Sequence, residues 1–389
     1  MKSMGTSAYG IKLPIIGRGD NLPRITAESV IRAAEEEGLL LTDSDVIGVT
    51  EAIVAKAQGN YASCDDIAND IRRKFPEGEL AVVFPIMSRN RFLNILKGIA
   101  KGADKVSVIL SFPADEVGNP IMDLNRFYDL EDRLKPGFFT AKEFREITGA
   151  HKHPFTGEDY IALYESLDNV EVYVANDPRH ALKITGQILA SEIHTRFATK
   201  KRLLSAGAKT VYTLSDILNE AADGMGYNPD YGVLGSNIST GDTLKLFPRD
   251  CDKFIRDTRE LFQILAGVEP EILVYGDGAF KDPVYGIWEL ADPVVSPGYT
   301  DKLNNKPDEI KLKHIADDSF GHLGADEKAA AIYEMIKAKK DAPPSAREGT
   351  TPRKYHDLLG SLCDLISGSG DKGTPVVLIK NYFDNYASE

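Results

Sequence analysis

Residues 367–380 read Ser367-Gly368-Ser369-Gly370-Asp371-Lys372-Gly373-Thr374-Pro375-Val376-Val377-Leu378-Ile379-Lys380. A run of small polar residues passes straight into an apolar segment rich in valine and isoleucine, the composition of a buried strand. A plain turn needs one or two flexible residues, so glycines at 368, 370 and 373 suggest backbone that approaches something closely, with phosphate as the usual candidate. Upstream, Leu358, Leu359, Leu362, Leu365 and Ile366 recur with helical period over Pro352–Ile366. Thr351 suits the cap of that helix, Pro352 its first position and Gly368 its stop. The order is therefore helix, glycine loop, strand. In the commoner phosphate loop a strand leads through the loop into a helix N-terminus. Here the helix presents its negative end, so an anion would have to be held by loop amides, Lys372 or a metal.

The same alternation runs outward through the chain. Strands are predicted at Asp45–Thr50, Leu80–Pro85, Lys105–Ser111, Val170–Ala175, Ala208–Thr213, Glu271–Tyr275 and Pro375–Lys380. Helical period occupies Thr26–Glu37, Cys64–Lys74, Arg89–Lys101, Arg179–Thr195, Arg249–Leu265, Asp326–Lys339 and Pro352–Ile366. This pattern predicts an α+β (mixed α/β) protein. Gly118–Gly157 and Lys340–Pro352, rich in proline and charge, read as surface loops or linkers. A chain of 389 residues exceeds one simple core, which favours two domains or one domain with a large insertion.

Bulk properties remove several function classes. A net charge of −13 argues against nucleic acid as a partner, although glycine amides, lysines and a divalent metal can hold a nucleotide locally. No apolar run is long enough for a membrane span, and the first residues lack a secretory pattern. Cys64, Cys251 and Cys363 lie far apart with no CxxC pair, as expected of reduced cysteines in a cytoplasmic protein.

Some stretches carry more chemistry than others. In Glu271-Ile272-Leu273-Val274-Tyr275-Gly276-Asp277, a carboxylate follows the C-terminal end of a buried strand, where α/β sheets place ligands. Such a carboxylate is a natural Mg²⁺ ligand in nucleotide chemistry; the plain alternative is an Asp-Gly turn. Lys56 follows the strand and the polar pair Thr50-Glu51, and it is either a point charge for phosphate or a solvated side chain. Gly17-Arg18-Gly19-Asp20 reads first as a turn. Arg89 and Arg91 open a helix after a strand, where a carboxylate or phosphate clamp and a solvated helix start are equally consistent with the pattern. His151 and His153 in HKHP lack further ligand spacing and read as loop residues. Hydrolase, zinc-protease and Rossmann signatures are absent.

Taken in order, LPIIGRGDNL (Leu13–Leu22), IVAKAQG (Ile53–Gly59), GVLGSN (Gly232–Asn237), VYGDGAF (Val274–Phe280) and GSGDKGTPVVLI (Gly368–Ile379) resemble the coenzyme F420-0:gamma-glutamyl ligase family and its bacterial homologues. The resemblance covers roughly residues 9–76, 228–300 and 353–381. It implies a ligase-like core formed by 1–76 and 228–389, with 77–227 as an inserted or enlarged α/β region. It further implies a GTP-dependent (or ATP-dependent) enzyme that joins L-glutamate through its amine to a carboxylate of a cofactor such as a deazaflavin or folate, using Mg²⁺ or Mn²⁺. A homodimer is the expected assembly.

By that resemblance Leu13, Pro14, Ile15 and Ile16 line the nucleotide site, with Thr50, Glu51 and Lys56 beside it and Asn237 as a further nucleotide contact. Gly368, Ser369, Gly370, Asp371, Lys372 and Gly373 would wrap the phosphates. Lys56 and Asp277 are the catalytic candidates, and Asp277 is also the metal-binding aspartate. The chain departs from the family pattern at three places. Leu234 stands where the family's GIDxSN pattern has an acid, Gly278 follows Asp277 where a threonine is usual, and Ser369 replaces a glutamate. Asp371, Asp282 and Asp292 are the nearest replacement carboxylates. Amide formation from a carboxylate needs an activated acyl group, usually an acyl phosphate, and Arg89, Arg91, Arg347 and Arg353 are the available seats for glutamate's carboxylates. A nucleotide-binding protein with altered catalysis, and an amide ligase for a different acceptor, are the competing readings.

Overall fold

Apolar β-branched runs form two main sheets, each buried on both faces by helices. The computed structural model describes residues 5–222, 224–276, 279–281, 288–290, 296–306, 322–324, 327–328, 330–332, 334, 353–368 and 372–383. Two units emerge: Met1–Ala57 with Asp250–Phe280 and Val294–Glu389, and Gln58–Arg249 with Lys281–Pro293. The region 77–227 lies within the second. The mixed α/β class expected from the sequence holds, and no described helix is long and apolar enough to cross a membrane.

The first unit is built on a five-stranded sheet ordered Ser7–Ile11, Val376–Lys380, Val46–Thr50, Glu271–Tyr275, Gly298–Tyr299. Val46–Thr50 and Glu271–Tyr275 are parallel, while Val376–Lys380 runs antiparallel to both of its neighbours. The two-residue strand period divides the side chains between faces. Ile47, Val49, Ile272 and Val274 pack with Val30, Phe254 and Phe262 from helices Leu22–Glu36 and Cys251–Ala266. Val46, Leu273 and Tyr275 face Leu359 and Cys363 of helix Tyr355–Ser367. Gly48 is required on that second face, because a Cβ there would lie 2.3 Å from Cys363 Sγ.

The second unit holds a six-stranded sheet ordered Phe138–Thr140, Val170–Ala175, Lys105–Leu110, Glu79–Val83, Gln187–Ala190, Thr210–Thr213. Only the Phe138–Thr140 edge strand is antiparallel. In chain order the parallel strands run third, second, first, fourth, fifth, which is a doubly wound sheet. Its order reverses between Glu79–Val83 and Gln187–Ala190. A small sheet, Asn237–Thr240, Thr243–Lys245 and Tyr61–Ser63, completes this unit.

Two expectations are corrected. The helix read over Arg179–Thr195 is a 3₁₀ turn, Pro178–Lys183, followed by the strand Gln187–Ala190. A strand buried on both faces is continuously apolar and locally indistinguishable from a buried helix segment. Gly118–Gly157, read as a surface loop, contains the strand Phe138–Thr140 and the helix Ala141–Thr148, closed by a Thr140–Glu143 capping box. His153 in that segment is buried. Its Nδ1 accepts from the amides of Phe155 (3.2 Å) and Thr156 (3.1 Å), which leaves Nε2 to donate to Asn119 Oδ1 at 3.0 Å. It serves as a local brace, and the metal alternative for HKHP has no support among the described residues.

Candidate functional site

Three strands of the first unit, Ser7–Ile11, Val46–Thr50 and Glu271–Tyr275, point the same way, and their C-terminal ends share one edge of the sheet. The register fixes this: Tyr275 sits opposite Thr50, Val376 opposite Val49, and Ile11 opposite Val376. The Thr50 amide donates to Pro375 O at 3.0 Å, fastening the end of the glycine loop to the edge. Glu271–Tyr275 and Val376–Lys380 thus run antiparallel, as the sequence argument required. They are not adjacent, however, because Val46–Thr50 lies between them.

The segments leaving this edge bear most of the expected residues. Leu13, Pro14, Ile15 and Ile16 follow the first strand; Ile16 is buried while Ile15 is 94% exposed. The stretch after them turns tightly, with Gly17 N donating to Asp20 Oδ2 at 2.7 Å and Asn21 capping the next helix. Gly19 N then donates to Ala57 O at 2.8 Å, which ties this stretch to the end of helix Glu51–Gln58. That helix begins directly after Thr50. Thr50 and Glu51 are buried at its start, and Lys56 is exposed in its last turn.

Sequence reasoning named Thr50, Glu51 and Lys56 for this site but did not read a helix there; its start turns the positive end of a helix dipole toward the same edge. The strand-to-helix order at Val46–Gln58 was the available signal. It is the order common in phosphate sites, without their usual glycines.

The glycine loop has a local explanation at both described ends. Gly368 ends helix Tyr355–Ser367 in the left-handed conformation (φ 56°), its amide donating to Asp364 O at 2.8 Å. The Lys372 side chain folds back over it, since a Cβ on Gly368 would sit 3.3 Å from Lys372 Cε. Gly373 also has positive φ (75°). Nearby, burial pushes the Tyr275 phenol far above its ordinary value. The Cys363 thiol adds to the shift, and the Ser367 hydroxyl beside the phenol opposes it. Tyr275 and Cys363 are therefore neutral packing groups between the sheet and helix Tyr355–Ser367.

Asp277, Asp282, Ser369, Gly370 and Asp371 lie outside the described residues, as do Asp292 and Arg347. Among the described residues no group of three His, Cys, Asp or Glu side chains could hold a metal. Glu51 is the buried carboxylate at this edge. Asn237 belongs to the second unit, where it opens a strand opposite Lys245. Leu234, at the acidic position of the family pattern, is buried in that unit's core beside Leu214 and Val233.

A 65-residue stretch is 40% identical to the coenzyme F420:L-glutamate ligase of Methanothermobacter thermautotrophicus, covering 16% of this chain and 24% of that protein. The chain thus matches about a quarter of the relative's length. The profile of the F420-0:gamma-glutamyl ligase family matches residues 10–381. With a match that runs through nearly the whole sequence, the chain belongs to the F420-0:gamma-glutamyl ligase family.

Proposed function

We propose that the protein is a nucleotide-dependent γ-glutamyl ligase that joins L-glutamate to a carboxylate of a small molecule, with GTP as the expected nucleotide. The observation that carries this reading is the convergence on one sheet edge of Leu13–Ile16, Thr50–Glu51, the Lys56 helix and the Lys372–Pro375 segment. The activity for which the relative is named and the family name support it.

In this reading the amides at the start of helix Glu51–Gln58 receive phosphate oxygens, with Lys56 and Lys372 as point charges. The acceptor's carboxylate oxygen attacks the terminal phosphorus, and the bond to the bridging oxygen breaks to release the nucleoside diphosphate. The amine of glutamate then attacks the acyl carbon. The C–O bond breaks, phosphate leaves with its electron pair, and the amine nitrogen loses a proton. Mg²⁺ or Mn²⁺, when bound, would screen phosphate charge, with Asp277, Asp371, Asp282 and Glu51 as its carboxylate candidates. The same reading includes a homodimer, which light scattering of the purified chain tests.

The deciding experiment incubates the protein with GTP or ATP, Mg²⁺ or Mn²⁺ and L-glutamate, with and without deazaflavin and folate acceptors. A ligase forms amide product and releases phosphate only when an acceptor is present. Asp277→Asn should abolish metal-dependent turnover while the protein still folds. Nucleotide-dependent stabilisation with no turnover on any acceptor would instead establish a binding protein.

A further inference from the structure

At the end of the first sheet opposite the candidate site, an apolar patch lies exposed inside an acidic border. Helices Leu22–Glu36 and Cys251–Ala266 pack on one face of that sheet and finish at this end, where Leu39, Leu41 and Leu261 still pack against the core. Beyond them Leu40 is 81% exposed and Ile264 is 67% exposed. The Glu269 amide donates to Asp43 Oδ1 at 2.7 Å, which holds the two segments side by side. From Ala33 to Asp45 the chain carries Glu35, Glu36, Glu37, Asp43 and Asp45 and no lysine or arginine. Glu35, Glu36 and Glu37 are exposed and make no ion pair among the described residues.

The second unit carries a surface of the opposite sign. From Ile193 to Lys209 the chain has Arg196, Lys200, Lys201, Arg202 and Lys209 and no acid. Helix Arg196–Ser205 buries Thr199 and Leu203 and leaves Phe197, Lys201 and Leu204 exposed at helical spacing. Phe197 is 62% exposed, with the Arg196 guanidinium 4.5 Å from its ring centre, and Leu204 is 47% exposed. Lys200 is taken by Asp216 at 3.0 Å, whereas Lys201 and Arg202 are exposed and make no ion pair among the described residues.

Both helices break the same local rule. A helix is negative at its C-terminal end and positive at its N-terminal end. Leu22–Glu36 has Glu35 and Glu36 in its last turn, Glu37 as its C-cap and no basic residue there. Arg196–Ser205 opens on Arg196 and has no acid in its first turn. Each holds the charge that its own dipole disfavours, and each does so around exposed apolar side chains. Natural sequences break local rules mainly at functional sites. Opposite charge around a matching apolar centre would relieve both surfaces at once.

We propose that these surfaces are the two halves of one contact between separate molecules of this chain. Phe197 and Leu204 of one copy pack on Leu40 and Ile264 of another, with Lys201 and Arg202 facing Glu35, Glu36 and Glu37. The proposal gives a surface to the self-association expected above and does not rest on the ligase chemistry. A contact between two different surfaces either closes as a reciprocal dimer, in which it is made twice, or continues head to tail.

The test is multi-angle light scattering of the full chain over a dilution series. Wild type should exceed the mass of one chain at high concentration; a doubled mass identifies the reciprocal dimer, and a mass that keeps rising identifies the head-to-tail form. Lys201→Glu with Arg202→Glu should weaken association roughly tenfold, and so should Glu36→Lys with Glu37→Lys. All four changes in one chain restore opposite signs and should return association to near the wild-type level, a rescue that damage to folding cannot produce. Phe197→Ser should weaken association with no change of charge, and it decides if a charge variant fails to fold by circular dichroism. A wild-type monomer at every concentration overturns the proposal, as does association that neither charge reversal nor Phe197→Ser weakens. Weakening by the reversals without rescue in the four-fold variant overturns it too. A monomer that binds phosphatidylglycerol vesicles through Phe197 would assign this helix to a lipid surface instead. Amide formation is read in a separate assay, so failure of either proposal leaves the other standing.

Discussion

Glu192 gives the second unit a pH-dependent stability that can be isolated. It follows the strand Gln187–Ala190 and is 2% exposed, and neither carboxyl oxygen has a hydrogen bond of normal geometry among the described residues. Burial is the main cause that raises its pKa to about 7, and the Glu116 carboxylate adds to it. The Thr199 hydroxyl, the residue's own amide and Arg196 lie close enough to temper the rise. From the ordinary value of 4.5 up to about 7, the native carboxyl keeps its proton while the unfolded chain has released it.

The unfolded state therefore binds fewer protons, and stability falls as pH rises through this window; the penalty is complete above about pH 7 and absent below the ordinary value. Its size is about 3 kcal/mol at 1.36 kcal/mol per pH unit. For a unit of this size, 1 kcal/mol moves Tm by about 2–4 °C. The advantage of Glu192→Gln over wild type should therefore grow by roughly 6–12 °C between pH 5 and pH 8, measured by scanning calorimetry on the transition of the second unit. Parallel Tm profiles for the two proteins across that range would refute the reasoning and place the charge of Glu192 in contact with water or a donor.

Three further perturbations follow from the first unit. Lys56→Ala should weaken nucleotide binding by about 1.5–3 kcal/mol in calorimetry, the range for hydrogen bonds to charged groups, while leaving Tm nearly unchanged because Lys56 is exposed. Asp45→Ala removes the carboxylate that Lys380 Nζ meets at 2.7 Å, with the two side chains 2% and 12% exposed, and leaves Nζ its 2.6 Å bond to Leu40 O; denaturant unfolding should show a loss of about 3 kcal/mol, the lower end of the range for breaking a buried pair. Asp45→Ala combined with Lys380→Met should recover part of that loss. Gly48→Ala drives a methyl into Cys363 Sγ and should destabilise by about 1–3 kcal/mol, and adding Cys363→Ala should offset most of it.

What was legible in the sequence follows from how local its causes are. Val170–Ala175, Glu271–Tyr275 and Cys64–Lys74 were predicted to the residue, because composition, period and capping all change at their ends. Ser63 and Asp66, for example, form a capping box that starts Cys64–Lys74 where its apolar face begins. Gln187–Ala190 was lost because its three apolar residues, Ile188–Ala190, carry no period of their own. Gly186 and Pro178 were the punctuation that could have separated it from the turn before it. Strand order was not legible at all. The direction of Glu271–Tyr275 relative to Val376–Lys380 followed from asking which ends carry chemistry, but nothing in either segment says that Val46–Thr50 lies between them.

The departure at Leu234 shows how fold and site constrain each other. As a sequence it reads as a lost metal ligand. In the structure it is 2% exposed and packed with Val233, Leu214 and Ile217, and Gly235 beside it has positive φ (73°) and lies against the Phe247 ring with no room for a Cβ. A carboxylate at 234 would be taken out of water into this apolar cluster, a cost that no nearby packing offsets. The leucine is thus part of the second unit's core, and restoring an acid by Leu234→Asp would unfold that core before it built a ligand. Any metal this chain uses must draw its carboxylates from other positions. At the sheet edge of the first unit, Glu51 is the carboxylate that the described residues bury, directly after the end of Val46–Thr50.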